Sequence, residues 1–304
     1  MTRLLVLNKD EDTVSIVDAD NHEIETTVET DFNPHEAIVT PDGSKTYVTC
    51  SLGDRVNVID NETFEVFERI EHEHFAFPHG LATREGAEEI WLAATRSSRL
   101  YVIDATREQI DGVYRTHQNL SHMVAMTPDE STAYVANIGS DNVTVVDAES
   151  REIETHVEVG ERPEGIGVHP DGDHLYVANQ DDGTLTVLST DDHEEVAELR
   201  LGTTPIRVVF TPGGEYALVP NRESDNVSVI DTAFERGGDV TPWEIARIPV
   251  GVWPGGTVVD AAGETAYVAN NKTNDVSVLN LDALEEDGRI DVGIHPDGMV
   301  RLPK

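Results

Sequence analysis

The chain has 304 residues, with 59 Asp and Glu against 21 Lys and Arg, and a formal net charge of −38. A field this negative repels phosphate backbones and anionic bilayers, which excludes nucleic acids and membrane surfaces as partners. The one cysteine, Cys50, has no internal disulfide partner, and no apolar run approaches the ~20 residues of a membrane helix. In chain order, the first element is the short apolar strand Leu5-Val6-Leu7-Asn8, with no signal-peptide core ahead of it. The same element returns as Tyr47-Val48-Thr49-Cys50, Trp91-Leu92-Ala93-Ala94 and Tyr134-Val135-Ala136-Asn137. It returns again as Tyr176-Val177-Ala178-Asn179, Leu218-Val219-Pro220-Asn221 and Tyr267-Val268-Ala269-Asn270.

Thirteen residues after the first member of each copy stands Asp18, Asp60, Asp104, Asp147, Ser189, Asp231 or Asn280. Thirteen before it stands Pro34, Pro78, Ser121, Pro163, Pro205 or Pro254. A repeat of 42 to 49 residues in seven copies is the signature of a closed array. Within a copy every signal is β. An apolar run such as Gly165-Ile166-Gly167-Val168 is followed by a Pro170-Asp171-Gly172 turn, and alternating strands such as Val227-Ser228-Val229-Ile230 come later. Four short antiparallel strands repeated seven times predict an all-β fold, a seven-bladed β-propeller.

The count also predicts how the ring closes. Pro296 opens a seventh copy, and counting thirteen onward past Lys304 lands on Leu5. The N-terminal strands therefore complete the blade begun by Ile294–Leu302, and residues 1–304 read as one domain with no linker or tail. The one departure in length is an insertion at Phe234–Trp243.

These Tyr-Val-Ala-Asn, Val-Ser-Val-Ile-Asp and Pro-Asp-Gly elements resemble the YVTN family of propeller repeats, and with it YncE-like proteins and the propeller domain of archaeal surface-layer proteins. The evenly spread acid with only four lysines resembles proteins of salt-loving organisms such as halophilic archaea, in which carboxylates hold hydration and salt screens their repulsion. The resemblance implies the fold and leaves function open, because relatives of this architecture include lactonases, a streptogramin lyase and metal- or haem-handling proteins.

In a propeller, equivalent positions meet around the axis. The residue after each blade-opening position reads His35, His79, His122, Glu164, Ile206, Gly255, Asp297. Since blade 7 adjoins blade 1, Asp297, His35, His79, His122 and Glu164 occupy five consecutive blades. Three imidazoles flanked by carboxylates suit a divalent metal, Zn²⁺, Fe²⁺ or Cu²⁺, with Glu164 or Asp297 as a fourth ligand or as an orienter of an imidazole. The bland reading of the same residues is a hydrogen-bonded channel lining that holds water. His72, His74 and His117 lie in loops leading to the arc and read as solvated. Cys50, standing where other copies have Asn, reads as a small hydrophobe. Arg207, one place beyond the ring, is positioned to pair with a substrate carboxylate.

Three functions stay open on these residues. The first is a metal-binding propeller, extending to metal-assisted lactone hydrolysis or a lyase reaction. The second is a metal-free scaffold that binds a small ligand or a protein on the top face. The third is a metal-free lactonase using a His and Arg207. The chain is expected to be monomeric. As it stands it belongs in the cytoplasm, or outside the cell or on its surface where an export signal has been removed.

Overall fold

The computed structural model describes residues 2–232 and 243–303. The Phe234–Trp243 insertion lies outside the described residues except for Trp243. Seven four-stranded antiparallel sheets are arranged as blades, as the repeat requires. Blade 1 runs from the hub outward as Pro34–Val39, Lys45–Cys50, Arg55–Asp60 and Glu65–Glu71. Blades 2, 3, 4 and 6 open with Pro78–Arg84, Ser121–Met126, Pro163–Val168 and Pro254–Val259. The hub strand of blade 5 is reduced to Val209–Phe210 plus a bridge from Pro205 to Asn221. In blade 7, Pro296–Arg301 pairs with Arg3–Asn8, followed by Thr13–Asp18 and Glu23–Glu29. Chain ends thus share one sheet, and the ring has no open seam. No helix among the described residues is long and apolar enough to cross a membrane.

The core lies between blades. Each hydrophobic cluster joins two neighbours, as when Tyr47, Val56 and Val58 of blade 1 pack on Leu92, Tyr101 and Ile103 of blade 2. Another joins Leu5, Leu7 and Ile16 of blade 7 to Val48 and Ile59 of blade 1. The turn residues behave as their chemistry dictates. Asp60 accepts the amides of Glu62 and Thr63, and Asp104 those of Thr106 and Arg107.

Two local devices aim side chains at the axis. At the ring position the register slips between Pro34 and Glu36, Pro78 and Leu81, Ser121 and Val124, Pro163 and Gly165, and Pro254 and Thr257. A bulge of this kind re-aims one side chain, here into the hub. The residue just before the bulge takes positive φ in every blade: Asn33, Phe77, Leu120, Arg162, Thr204, Trp253 and His295. Bulky side chains tolerate that conformation only when it is held from outside. In six blades a side-chain oxygen of the preceding blade holds it. Asp12, Asp54, Ser98, Asp141, Asp225 and Asn274 accept the amides of Asn33, Phe77, Leu120, Arg162, Trp253 and His295 at 2.8–3.0 Å. At the seventh junction Gly183 has no side chain to do so.

Candidate functional site

The bulges bring the ring together at the hub. His35 and His79 meet edge to face with ring centroids 4.4 Å apart, and His79 stacks on His122 at 3.6 Å with planes tilted by 25°. His35 Nε2 lies 3.3 Å from Asp297 Oδ2, while its Nδ1 lies 3.3 Å from Ser51 Oγ. The Ser51 hydroxyl donates to the carbonyl of Pro78 at 2.7 Å. His122 Nδ1 lies 2.9 Å from Thr95 Oγ1, and the buried Nδ1 of His79 has no hydrogen-bond partner among the described residues. Phe77 stacks over His79, and Arg96 lies over the Phe77 ring at 4.6 Å.

Charged groups interlock around the imidazoles. Lys9 Nζ donates to Asp297 Oδ2 at 2.6 Å. Glu164 Oε1 lies 3.5 Å from Arg222 and 3.7 Å from Arg207. Arg207 also reaches across the axis to Glu36, joining blade 5 to blade 1 through the channel. Three cations thus offset three carboxylates in a nearly dry hub, which is how buried charge is tolerated. Burial holds His79 and His122 well below the ordinary histidine range, helped by repulsion from neighbouring imidazoles and Arg207. Burial works against the Asp297 carboxylate, but His35 and Lys9 keep it well below the usual range. For Glu36 burial outweighs Arg207 and pushes the carboxyl up.

All five expected metal ligands therefore reach the hub, but their arrangement differs from a coordination sphere. Imidazole lone pairs lie in the ring plane, and the stacked His79 and His122 do not aim theirs at a common point. Among the described residues no group of three His, Cys, Asp or Glu side chains is disposed to hold a metal ion. Arg207 is engaged by two of the protein's own carboxylates, not turned to the mouth. His74 and His117 are exposed. Cys50 is buried, and burial pushes its thiol up to about 12. The ring asparagines bond strand hydroxyls, as Asn137 does to Thr144 at 2.8 Å and Asn179 to Thr186 at 2.9 Å, and Asn8 and Asn221 also accept the loop amides of Gly293 and Gly202 at 3.1 Å.

Residues 96–291 match the family model of the lactonase with a seven-bladed β-propeller. The chain belongs to this lactonase propeller family. The lactonase fold is shared with solved structures of low identity. A functionally unknown Desulfotomaculum acetoxidans protein has TM-score 0.86 and 13% identity over 99% of each chain. A candidate 6-phosphogluconolactonase of Bacteroides fragilis has TM-score 0.80 and 16% identity over 99% of this chain and 98% of that one. Hydrazine synthase of Kuenenia stuttgartiensis has TM-score 0.80 and 21% identity over 90% of each. No curated protein matches the chain in sequence.

Four residues of this lactonase-family hub were missed by the ring argument: Glu36, Ser51, Lys9 and Arg222. Two further rings carried their signal. The second residue after the blade opening is glycine at Gly80, Gly165, Gly256 and Gly298, and the exceptions are Glu36, Met123 and Arg207. Those glycines let neighbouring strands close in: a Cβ on Gly80 would lie 2.5 Å from Met123 Cα, and one on Gly165 2.5 Å from Arg207 Cα. The residue after each ring asparagine position reads Lys9, Ser51, Thr95, Ile138, Gln180, Arg222 and Asn271, and its two cations both face the mouth.

Proposed function

We propose that the chain hydrolyses a lactone carrying a carboxylate or phosphate, without a metal ion. The observation that carries this reading is the His35–Asp297 pair set beside Lys9 and Arg222 at the mouth. In a chain of charge −38, two cations that converge at the mouth, with N–H groups beyond those used on Asp297 and Glu164, favour an anion there. Membership of a family described as lactonase supports the reaction type. In this reading the substrate rests on the rim, Lys9 and Arg222 hold its charge and the developing oxyanion, and the imidazole–carboxylate pair moves the protons.

The test is hydrolysis of a phosphorylated sugar lactone, a carboxylated γ-lactone and neutral γ-butyrolactone, each with and without EDTA. The charged lactones are expected to open at rates EDTA leaves alone. Arg222→Ala is expected to lower kcat/KM by about 10- to 100-fold, the worth of one charged hydrogen bond. Failure of every lactone to open overturns the proposal.

A second reading keeps a divalent metal at His35, His79 and His122, with Glu164 or Asp297 completing the sphere. It is favoured by the partnerless Nδ1 of His79, and it requires the stacked rings to part. Inhibition by EDTA, with one metal per chain in protein purified without an affinity tag for metals, is its expected outcome. Substoichiometric metal unchanged by the triple His→Ala variant rules it out. Exposed Phe32, Leu52, Val252, Trp253 and Ile294 on the mouth loops favour docking of a ligand or protein on this face if no reaction is found.

A further inference from the structure

A cavity of about 40 Å³ opens between blades 5, 6 and 7, lined by Lys9, Arg222, Trp253, Gly255, Asn271 and Asp297. It exists because the repeat is broken there. Gly255 occupies the ring position that carries His, Glu or Asp in blades 1–4 and 7. Two acceptors in its wall have no donor among the described residues: Asn271 Oδ1 and Asp297 Oδ1, on residues only 5% and 3% exposed. The Asn271 amide is oriented by its Nδ2, which donates to the carbonyl of Pro296 at 3.3 Å. Lys9 and Arg222 supply donors, since each has N–H groups beyond those used on Asp297 and Glu164.

A water takes about 30 Å³ in the liquid and asks for two to four polar partners. Two acceptors and two donors around a space of this size meet that demand. Two cations in the wall disfavour a metal ion, and two bare oxygens disfavour a halide. Resting on the lactonase reading above, we propose that this cavity holds the water that attacks the lactone. The water oxygen adds to the ring carbonyl carbon while its proton passes to the Asp297–His35 pair by way of Asp297 Oδ1. Lys9 and Arg222 face the charge that develops on the carbonyl oxygen. The ring C–O bond then breaks, and the proton returns from Asp297, directly or through His35, to the leaving alkoxide. Water and lactone give one hydroxy acid, with no other reactant consumed.

Gly255→Ala tests this without removing a charged group. Its methyl would sit 3.4 Å from Asp297 Oδ1 and 3.8 Å from Ile206 Cδ1, ordinary contacts that leave the backbone in place. High-resolution crystal structures of wild type and variant, compared at equal melting temperature, are expected to show one ordered water bridging Asn271 Oδ1 and Asp297 Oδ1 in the first and none in the second. Hydrolysis of the charged lactone is expected to fall by about 100-fold in the variant, as for loss of a positioned reactant, while affinity for the hydroxy-acid product holds. A dry cavity in the wild type, an ion in place of the water, or full turnover by the variant overturns the proposal. An ordered water in a wild type that opens no lactone confirms the site while overturning its catalytic role and the lactonase reading together.

Discussion

Two imidazoles stacked in a dry hub have to stay neutral, and that has a measurable consequence for folding. His79 and His122 titrate well below their ordinary value of 6.5 in the folded protein and regain it when unfolded. Below about pH 6.5 the unfolded chain therefore binds more protons than the native one, and acid favours unfolding. The stability these groups contribute is fully present above that pH and is lost as pH falls from it, each with a slope of up to about 1.4 kcal/mol per pH unit. Urea midpoints measured from about pH 7 to about pH 5 are expected to fall, and the His79→Gln, His122→Gln double variant is expected to flatten the profile. A flat wild-type profile contradicts the neutral pair. Single residues such as these were legible as members of a ring. Their tautomers, stacking and partners were not, because ring orientation depends on side chains from other blades.

At the level of the element, every blade opens on a residue of positive φ, and in six of them a side chain of the blade before latches it. Asp225 accepts the Trp253 amide at 3.0 Å, and both residues have positive φ. Asp225→Gly removes the hydrogen bond but keeps a residue at ease in that conformation, so its cost reports the latch itself. A loss of about 0.5–1.5 kcal/mol is expected in chemical denaturation. Asp54→Gly, on the distant blade 1, is expected to add independently. A double variant as stable as wild type refutes the latch. The strand pattern and its turns were readable from period and turn chemistry. The latch was hidden because its donor is a backbone amide, which leaves no mark on residue type, and its acceptor varies among Asp, Ser and Asn.

For the whole molecule, stability rests on closure. Deleting residues 296–304 strips the hub strand from blade 7, exposes the edge of Arg3–Asn8 and opens the cluster of Leu4, Val6 and Met299. The truncated chain is expected to melt at lower temperature and to associate through the free edge, seen as concentration-dependent light scattering. A monomer that melts with the wild type refutes closure as the source of stability. Blade number, strand order and the sharing of one sheet by both chain ends followed from repeat arithmetic alone, because each blade is a local unit whose period is written in its residues. The ring of His35, His79, His122, Glu164 and Asp297 followed as well, since equivalent positions in a closed ring must face the axis. Only the tertiary structure decided that Arg207 crosses the axis to Glu36, that Asp297 serves His35 and Lys9, and that Gly255 leaves a hole beside them. Those pairings join residues that are far apart in the chain, so they depend on the width of the hub and on side-chain reach, which no local pattern encodes.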